Sequence, residues 1–537
     1  MAHSLAHTAP RARTLPAVVR AHPDAPWLAG TAGVLLVLCG LPYVVSAWFG
    51  PSDLQRIGTF WFVRDFSQYQ AAMREGASQS GWLIHDHFTA EPHQAAFIYP
   101  LYVGLGKLSA ALHWDPLAVF GAVEWIGRLS LLAALYAFAA TLSEDLRARR
   151  LAVLLAAGSL GLMGLLAPVR LALDAIGAHG LADALPMSIN VYLELNSFGV
   201  FLSAPHLMFG LALTLLAGVL YLRRMIVWLG LATFGLSLIH PFNLPVLISV
   251  LVSHALWHGR TWWPAATAAA LASAPVTLYN VLLLSRAPVW SGTYSAQNTM
   301  PAPAPWALPI DLGVLLLAAP LAWTTVRRWP ADRQRLIVLW IGLGLLWLYA
   351  PLPYQRRLAF GVQPALAVLA AIGLLRLNAR LHLRLVNYAI AIAVLATPVL
   401  VYVAVVASAA ENAPTEVYMW SRAEAAAAEW IGEHSTRDDV VLASTEYANP
   451  LVGVIDGRVV HGHIVATFDS PTKQALVRRF FAAETPSHER SAILHQSLTT
   501  LVAFGPHERA LGASDLRGQP DLQLVYDQDG VEVFRVR

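Results

Sequence analysis

The sequence predicts a polytopic α-helical membrane protein, with about 11 transmembrane helices and a C-terminal extracytoplasmic α/β domain. Three observations predict it: an apolar composition, an uneven spread of charge, and arginine gathered in alternate loops. Of the 537 residues, 57% are apolar and 13% charged, against roughly 25% charged in soluble domains. Residues 1–410 hold 40 of the 69 Asp, Glu, Lys and Arg, and residues 411–537 hold the other 29. The chain therefore divides into a cytoplasmic tail at 1–26, a membrane body at 27–410 with a long first outer loop at 50–115, and a soluble domain at 411–537. Its one cysteine, Cys39, excludes an intramolecular disulfide and a Cys-based metal site. A dispersed net charge of +3 gives no reason to expect a nucleic-acid partner.

The membrane body is argued from length. Crossing about 30 Å of hydrocarbon takes roughly 20 apolar residues. The candidate spans run approximately Trp27 to Trp48, Pro116 to Leu142, Leu151 to Pro168, Pro205 to Leu222, Ile226 to His240, Leu244 to Trp257, Trp262 to Leu284, Leu308 to Val326, Leu336 to Ala350, Leu358 to Leu375 and Leu385 to Ala409. Orientation follows from arginine, which collects in short cytoplasmic loops. With the N-terminus inside, every inner segment is basic, from Arg11, Arg13 and Arg20 to Arg376, Arg380 and Arg384. The first apolar run is long and lacks a small-residue cleavage motif, so it reads as a retained anchor. An odd number of spans then puts 411–537 outside the cytoplasmic membrane. Most acids before residue 411 fall in outer loops or at span ends, whereas a carrier more often buries its key acids at mid-membrane.

The first outer loop is too long for a connector, and aromatic residues recur in it from Phe60 to Tyr102. Phe66 to Met73 predicts a short amphipathic helix with Gly76 as its stop. Ala95 to Trp114 predicts an interfacial or half-inserted helix, since a full span would turn the basic segment at Arg147 outward.

Within this loop stands Arg64-Asp-Phe-Ser-Gln-Tyr69. An aspartate directly after a membrane helix, with a tyrosine four residues on and then a short helix, resembles the first-loop motif of the GT-C class of polytopic glycosyltransferases, especially the polyprenyl-phosphate-mannose mannosyltransferases. The resemblance covers the whole chain in architecture, but only Asp65 to Tyr69 and Gln355 to Arg357 in motif. It implies transfer of a sugar from a polyprenyl-phosphate carrier to a lipid, glycan or protein acceptor at the outer face of the membrane, in one inverting displacement. Chemistry asks for the same parts, because a hydroxyl attacking an anomeric carbon needs a carboxylate to take its proton. A phosphate leaving group needs charge stabilisation. Asp65 is the candidate base; the alternative is that it caps the helix.

Further candidates follow from position. His85, Asp86 and His87, with Glu91 and His93 beyond, could ligate a divalent metal or form a hydrogen-bonded loop shaping the acceptor site. Glu194, within Tyr192 to Asn196, is the candidate for a second acid that the resemblance implies; otherwise it is a solvated acid. His206 opens a span behind Pro205. His240, in His240-Pro-Phe-Asn243, either meets substrate or satisfies the broken backbone. Arg356 and Arg357, after Pro351-Leu-Pro-Tyr-Gln355, break the charge rule by lying outside. Arginine's planar fork suits phosphate, and the resemblance places the lipid-linked phosphate in such a loop; the alternative is snorkelling to headgroups. Glu124 and Arg128 share a helical face and predict structural pairing, while Lys107 predicts a snorkelling cation.

In the C-terminal domain, Ala423 to His434 and Lys473 to Ala483 read as helices. Val440 to Ala443, Val459 to Val460, Thr500 to Phe504, Leu522 to Tyr526 and Val531 to Val536 read as strands. Glu446, Asp456, His461 and His463 read as surface polar residues, with extension of the site as the alternative. No phosphate loop or nucleophile elbow makes this domain an enzyme by itself. Two other functions fit the composition: a transporter or flippase of lipid-linked saccharides, which needs charged groups along a path through the bundle, and a non-catalytic envelope assembly protein.

Overall fold

The computed structural model describes residues 23–50, 54–56, 59, 63–184, 192–381, 384–410, 419–513 and 515–537. The basic tail with Arg11, Arg13 and Arg20, and the start of the aromatic run at Phe60, lie outside the described residues.

Among the described residues the membrane body is mainly helical. Among the described residues six helices are long and apolar enough to span: Ala25–Phe49, Pro116–Leu142, Pro205–Leu222, Arg260–Arg286, Val362–Leu381 and Arg384–Ala409. Two bent pairs raise the number to eight: Leu146–Gly158 with Met163–Ala175, bent by 44°, and Pro305–Asp311 with Gly313–Val326, bent by 98°. The expected eleven therefore includes segments that do not reach span length. Ile226–Ile239 and Leu244–His258 have 14 and 15 residues, about 21 to 23 Å at 1.5 Å per residue, because Pro241 breaks the helix between them. Ala331–Leu348 carries Asp332, Arg333 and Arg335 in its first turns, which dilutes its apolar run.

The first outer loop is ordered around two helices. Val63–Ser78 runs two residues past Gly76, so that glycine is not its stop. Gly76 instead lets Pro100–Leu112 approach: a Cβ there would lie 2.4 Å from the Val103 carbonyl oxygen, and one at Gly106 would collide with that of Met73. Lys107 does not reach toward lipid but donates to the Gln79 and Ser80 carbonyls at 2.7 and 3.1 Å, satisfying the end of the first helix. Pro100–Leu112 has 13 residues, about 20 Å, and so does not span.

The C-terminal region is α/β, as its alternating pattern predicts. Strands β1 (Leu54–Arg56) and β2 (Met419–Ser421) pair antiparallel, joining the first loop to the start of the C-terminal domain. The main sheet contains β3 (Val440–Leu442), β4 (Arg458–Val459), β5 (Leu501–Phe504), β6 (Leu522–Gln528) and β7 (Val531–Val536), in the order β4-β3-β5-β7-β6. Pairings of β3 with β4 and β5 are parallel; those of β7 are antiparallel. β3 and β5 are buried along their whole length, as strands covered on both faces should be. The helix Arg422–His434 begins with a full capping box between Ser421 and Glu424. The joint with the first loop is built from backbone as well as side chains: the Val459 amide donates to the His87 carbonyl at 2.9 Å, and Thr89 bridges to His461.

Candidate active site

One cavity of about 370 Å³ brings together residues that the sequence scatters over 400 positions. Asp65, Tyr69, His206, His240, Arg356 and Arg357 all line it.

Asp65 lies in the first turn of Val63–Ser78, inside the helix and not at its cap, with its side chain 30% exposed. Tyr69, one turn on, is buried and stacks on Tyr102 with ring centroids 4.3 Å apart. The Tyr102 hydroxyl meets His206 Nδ1 at 2.8 Å, which fixes that ring at the start of Pro205–Leu222. His240 stacks on Phe360 at 4.9 Å. It does not repair the break beside it: neither ring nitrogen has a hydrogen-bond partner among the described residues, although the residue is 3% exposed. The backbone does part of that repair, the Asn243 amide donating to the His240 carbonyl at 3.3 Å, while the Asn243 side chain donates to the Thr214 hydroxyl on the neighbouring helix at 2.7 Å.

Arg356 and Arg357 stand on a 3-10 turn, Gln355–Ala359. Gln355 pins the turn by accepting from the Ala302 amide and donating to the Ala350 carbonyl. Glu194, expected as a second acid, lies against the arginines instead: Arg356 Nε meets it at 3.0 Å and Arg357 Nη1 at 3.9 Å. Buried at 4% exposure, it is their counter-ion. Arg356 also covers the Tyr192 ring, whereas Arg357 Nε has no partner among the described residues.

The histidine loop lies elsewhere, on a second cavity of about 330 Å³ lined by Arg74, Glu75, His85, His87, His93 and Arg437 among others. Glu75 accepts from His85 Nδ1 at 2.9 Å, from the His85 amide at 2.9 Å and from His87 Nε2 at 3.2 Å. Burial would raise the Glu75 pKa, but these hydrogen bonds outweigh it and hold it at about 2. His87 Nδ1 meets the Gly457 carbonyl at 2.7 Å, so both its ring nitrogens face acceptors. Burial would lower its pKa, but Glu75 and Gly457 raise it. Asp86, whose carboxylate accepts the Phe88 amide, is pushed up to about 6 by burial. Glu91 is engaged by Lys473 and Thr89, and His93 sits between the Glu91 carbonyl and the Asp86 amide. Among the described residues no group of three His, Cys, Asp or Glu is arranged to hold a metal.

The expected pair in the membrane is present: Arg128 Nη2 lies 3.6 Å from Glu124, and its Nε donates to the Phe201 carbonyl at 3.0 Å. Sequence reading placed His463 on the surface, but it is 3% exposed and its Nε2 lies 3.1 Å from Asp65 Oδ1. The only local signal was the His-Gly-His spacing at 461–463.

In sequence, no family model and no curated protein matches the chain. In structure it is similar to the oligosaccharyltransferase of Archaeoglobus fulgidus, with a TM-score of 0.52 and 11% identity over 96% of this chain and 75% of that one. The arabinofuranosyltransferase AftD from Mycobacteria gives a TM-score of 0.58 at 15% identity, over 95% of this chain and 41% of that one. ArnT from Cupriavidus metallidurans gives 0.50 at 14%, over 94% and 98%. A helical membrane body shared along nearly the whole chain with these proteins, and an α/β region behind it, identify the architecture of this membrane protein as the GT-C fold.

Proposed function

We propose that the chain is an inverting glycosyltransferase that moves a sugar from a polyprenyl-phosphate-linked donor to an acceptor at the outer face of the cytoplasmic membrane. The observation that carries this reading is the shared cavity, which holds a carboxylate and two guanidinium groups in one space. An acceptor hydroxyl oxygen forms the new bond to the anomeric carbon while the bond from that carbon to phosphate breaks. Polyprenyl phosphate leaves with the electron pair, and Asp65 takes the hydroxyl proton. Arg357 meets the phosphate with the exposed part of its guanidinium, and Arg356 supports it while Glu194 fixes the pair. His206, His240 and Tyr69 form the wall between base and clamp. A transporter or a passive assembly protein has no need to place Asp65 and these arginines in one cavity.

Support also comes from the neighbours. A structure of AglB from Archaeoglobus fulgidus, similar to this chain with a TM-score of 0.53 and 11% identity, is in complex with an inhibitory peptide and a dolichol-phosphate. Another of the same enzyme, with a TM-score of 0.52, holds Zn and sulfate. The histidine loop of this chain does not fit a metal, because both nitrogens of His87 and of His93 are already bonded. In this reading residues 1–26 are cytoplasmic, 27–410 form the membrane body, and 411–537 lie outside with the long loop.

The test is transfer by the purified full-length protein from polyprenyl-phosphate-linked mannose, glucose or arabinose. Asp65→Asn should lower turnover by about 100-fold or more without changing thermal stability. Wild-type turnover in that variant removes Asp65 as the base.

A further inference from the structure

The C-terminal domain reaches Asp65 through a single buried imidazole. We infer that His463 is a positioning residue for the catalytic carboxylate, so that the active site is completed by the C-terminal domain. The inference rests on Asp65 acting as the base.

Hydrogen bonding decides the state of the ring. His463 Nδ1 accepts from the Val465 amide at 3.1 Å and the Ala466 amide at 3.0 Å. A nitrogen that accepts from two amides offers its lone pair and carries no proton, so the ring proton sits on Nε2. Nε2–H then donates to Asp65 Oδ1. One carboxylate oxygen is thereby occupied, and Oδ2 is the oxygen left for the acceptor hydroxyl. Without the imidazole, a carboxylate on the first turn of a helix is free to rotate about χ1 and χ2, and its oxygens have no fixed aim.

The surroundings hold the imidazole as firmly as it holds Asp65. The Thr467 hydroxyl accepts from the Gly462 and His463 amides and donates to the Phe88 carbonyl in the first loop. Phe88 packs beside the ring at 5.5 Å. Asn449, fully buried on the helix Thr445–Leu451, donates to the Arg64 carbonyl at 3.2 Å and to the Gly462 carbonyl at 2.8 Å, and accepts from the Ser67 hydroxyl at 3.0 Å. One amide thus ties together the residues flanking Asp65 and the residue before His463. The cavity wall includes Val465, two positions further on. The C-terminal domain is therefore part of the site and not only a neighbour of it.

Two substitutions separate this role from a structural one. An asparagine amide oxygen reaches the place of Nδ1, and a glutamine amide nitrogen reaches the place of Nε2. His463→Asn should keep the loop folded, with thermal stability close to wild type, and lower kcat on the order of 10- to 100-fold, the effect of a misplaced catalytic group, at unchanged KM for the polyprenyl-phosphate sugar. His463→Gln should lower thermal stability but recover most of kcat per folded molecule. A His463→Asn variant with wild-type kcat while Asp65→Asn is inactive overturns the inference alone; an active Asp65→Asn variant overturns the proposed function instead. Nitrogen-15 spectra of the ring, assigned by difference from His463→Asn, should show the Nε2–H form whatever donor the enzyme uses. An Nδ1–H or doubly protonated ring overturns the inference without any assay.

Discussion

Two cavities are built partly from the Val63–Ser78 helix, and they keep their polar groups in opposite states. In the cavity reached by Asp65, both nitrogens of the buried His240 and Nε of Arg357 have no partner among the described residues. In the cavity of the histidine loop, Glu75 accepts three hydrogen bonds, and Arg74 and Arg458 are held by Asp456 and the Ala90 carbonyl at 2.8 and 2.9 Å. A buried polar atom without a partner costs about 1 to 3 kcal/mol. Residues that line one cavity and carry several such atoms gain a partner only if a ligand arrives and the side chains turn to meet it, whereas a region that pairs nearly all of its polar atoms has built a joint. Residue types alone would suggest the reverse, since His85, Asp86 and His87 look more like a site than His240 does.

The comparison breaks if substitutions on the two sides have the same effect. The largest expected change is on the first side. Arg357→Gln removes the unpaired donor, and turnover should fall by about 100-fold or more, the usual cost of one donor that stabilises developing charge, with little change in thermal stability. Arg356→Gln should cost less turnover and more stability, because Arg356 is the closer partner of the buried Glu194. Equal loss of turnover in both would show that the two arginines share the phosphate evenly.

The second side should respond in stability. Glu75→Gln leaves His87 without its charged partner inside the joint, and breaking such a buried pair costs about 3 kcal/mol. Thermal unfolding in detergent should show the loss, while kcat per folded molecule stays near wild type. The pH dependence has a definite sign. Glu75 is held at about 2 in the fold, below its unfolded value of about 4.3, so its contribution is present above that unfolded value and lost as pH falls toward 2. His87 is raised, so its contribution is present below about 6.5 and lost as pH rises through its folded value. The joint should be firmest between roughly 4.3 and 6.5, and Glu75→Gln should flatten both edges. A turnover loss greater than the stability loss would make the histidine loop part of the site.

How much of this was legible in the sequence depended on range. The strands β3, β5, β6 and β7 and the helix Arg422–His434 followed from local pattern, because burial on a sheet or one helical face writes itself into neighbouring residues. Arg356 and Arg357 were legible as a broken charge rule and Asp65 through a motif resemblance, but the cavity that all three line was not. The two helices around Pro241 were legible as separate apolar segments, Ile226 to His240 and Leu244 to Trp257, but not that 14 and 15 residues leave each of them short of a span. His463 was hidden because it lies 398 residues from Asp65, and a polar residue on a predicted surface gives no local sign of its partner. Asn449 was missed for the same reason, 385 residues from Arg64.

The smallest expected effect concerns a carboxylate of the joint that is held at a cost. Asp86 is buried, at 5% exposure, and its pKa is pushed up to about 6, above an unfolded value of about 3.9. Its contribution is therefore present below that unfolded value and lost as pH rises through 6, so the ionised carboxylate weakens the fold at pH 8. Asp86→Asn keeps an oxygen for the Phe88 amide and removes the charge. At pH 5 it should change thermal stability little, and at pH 8 it should raise it by about 1 kcal/mol. That figure is well below the full linkage, because the asparagine amide nitrogen brings two buried donors that the carboxylate did not have and that need partners of their own. Destabilisation at pH 8 would mean that attraction outweighs burial, which would make Asp86 as fully satisfied as Glu75.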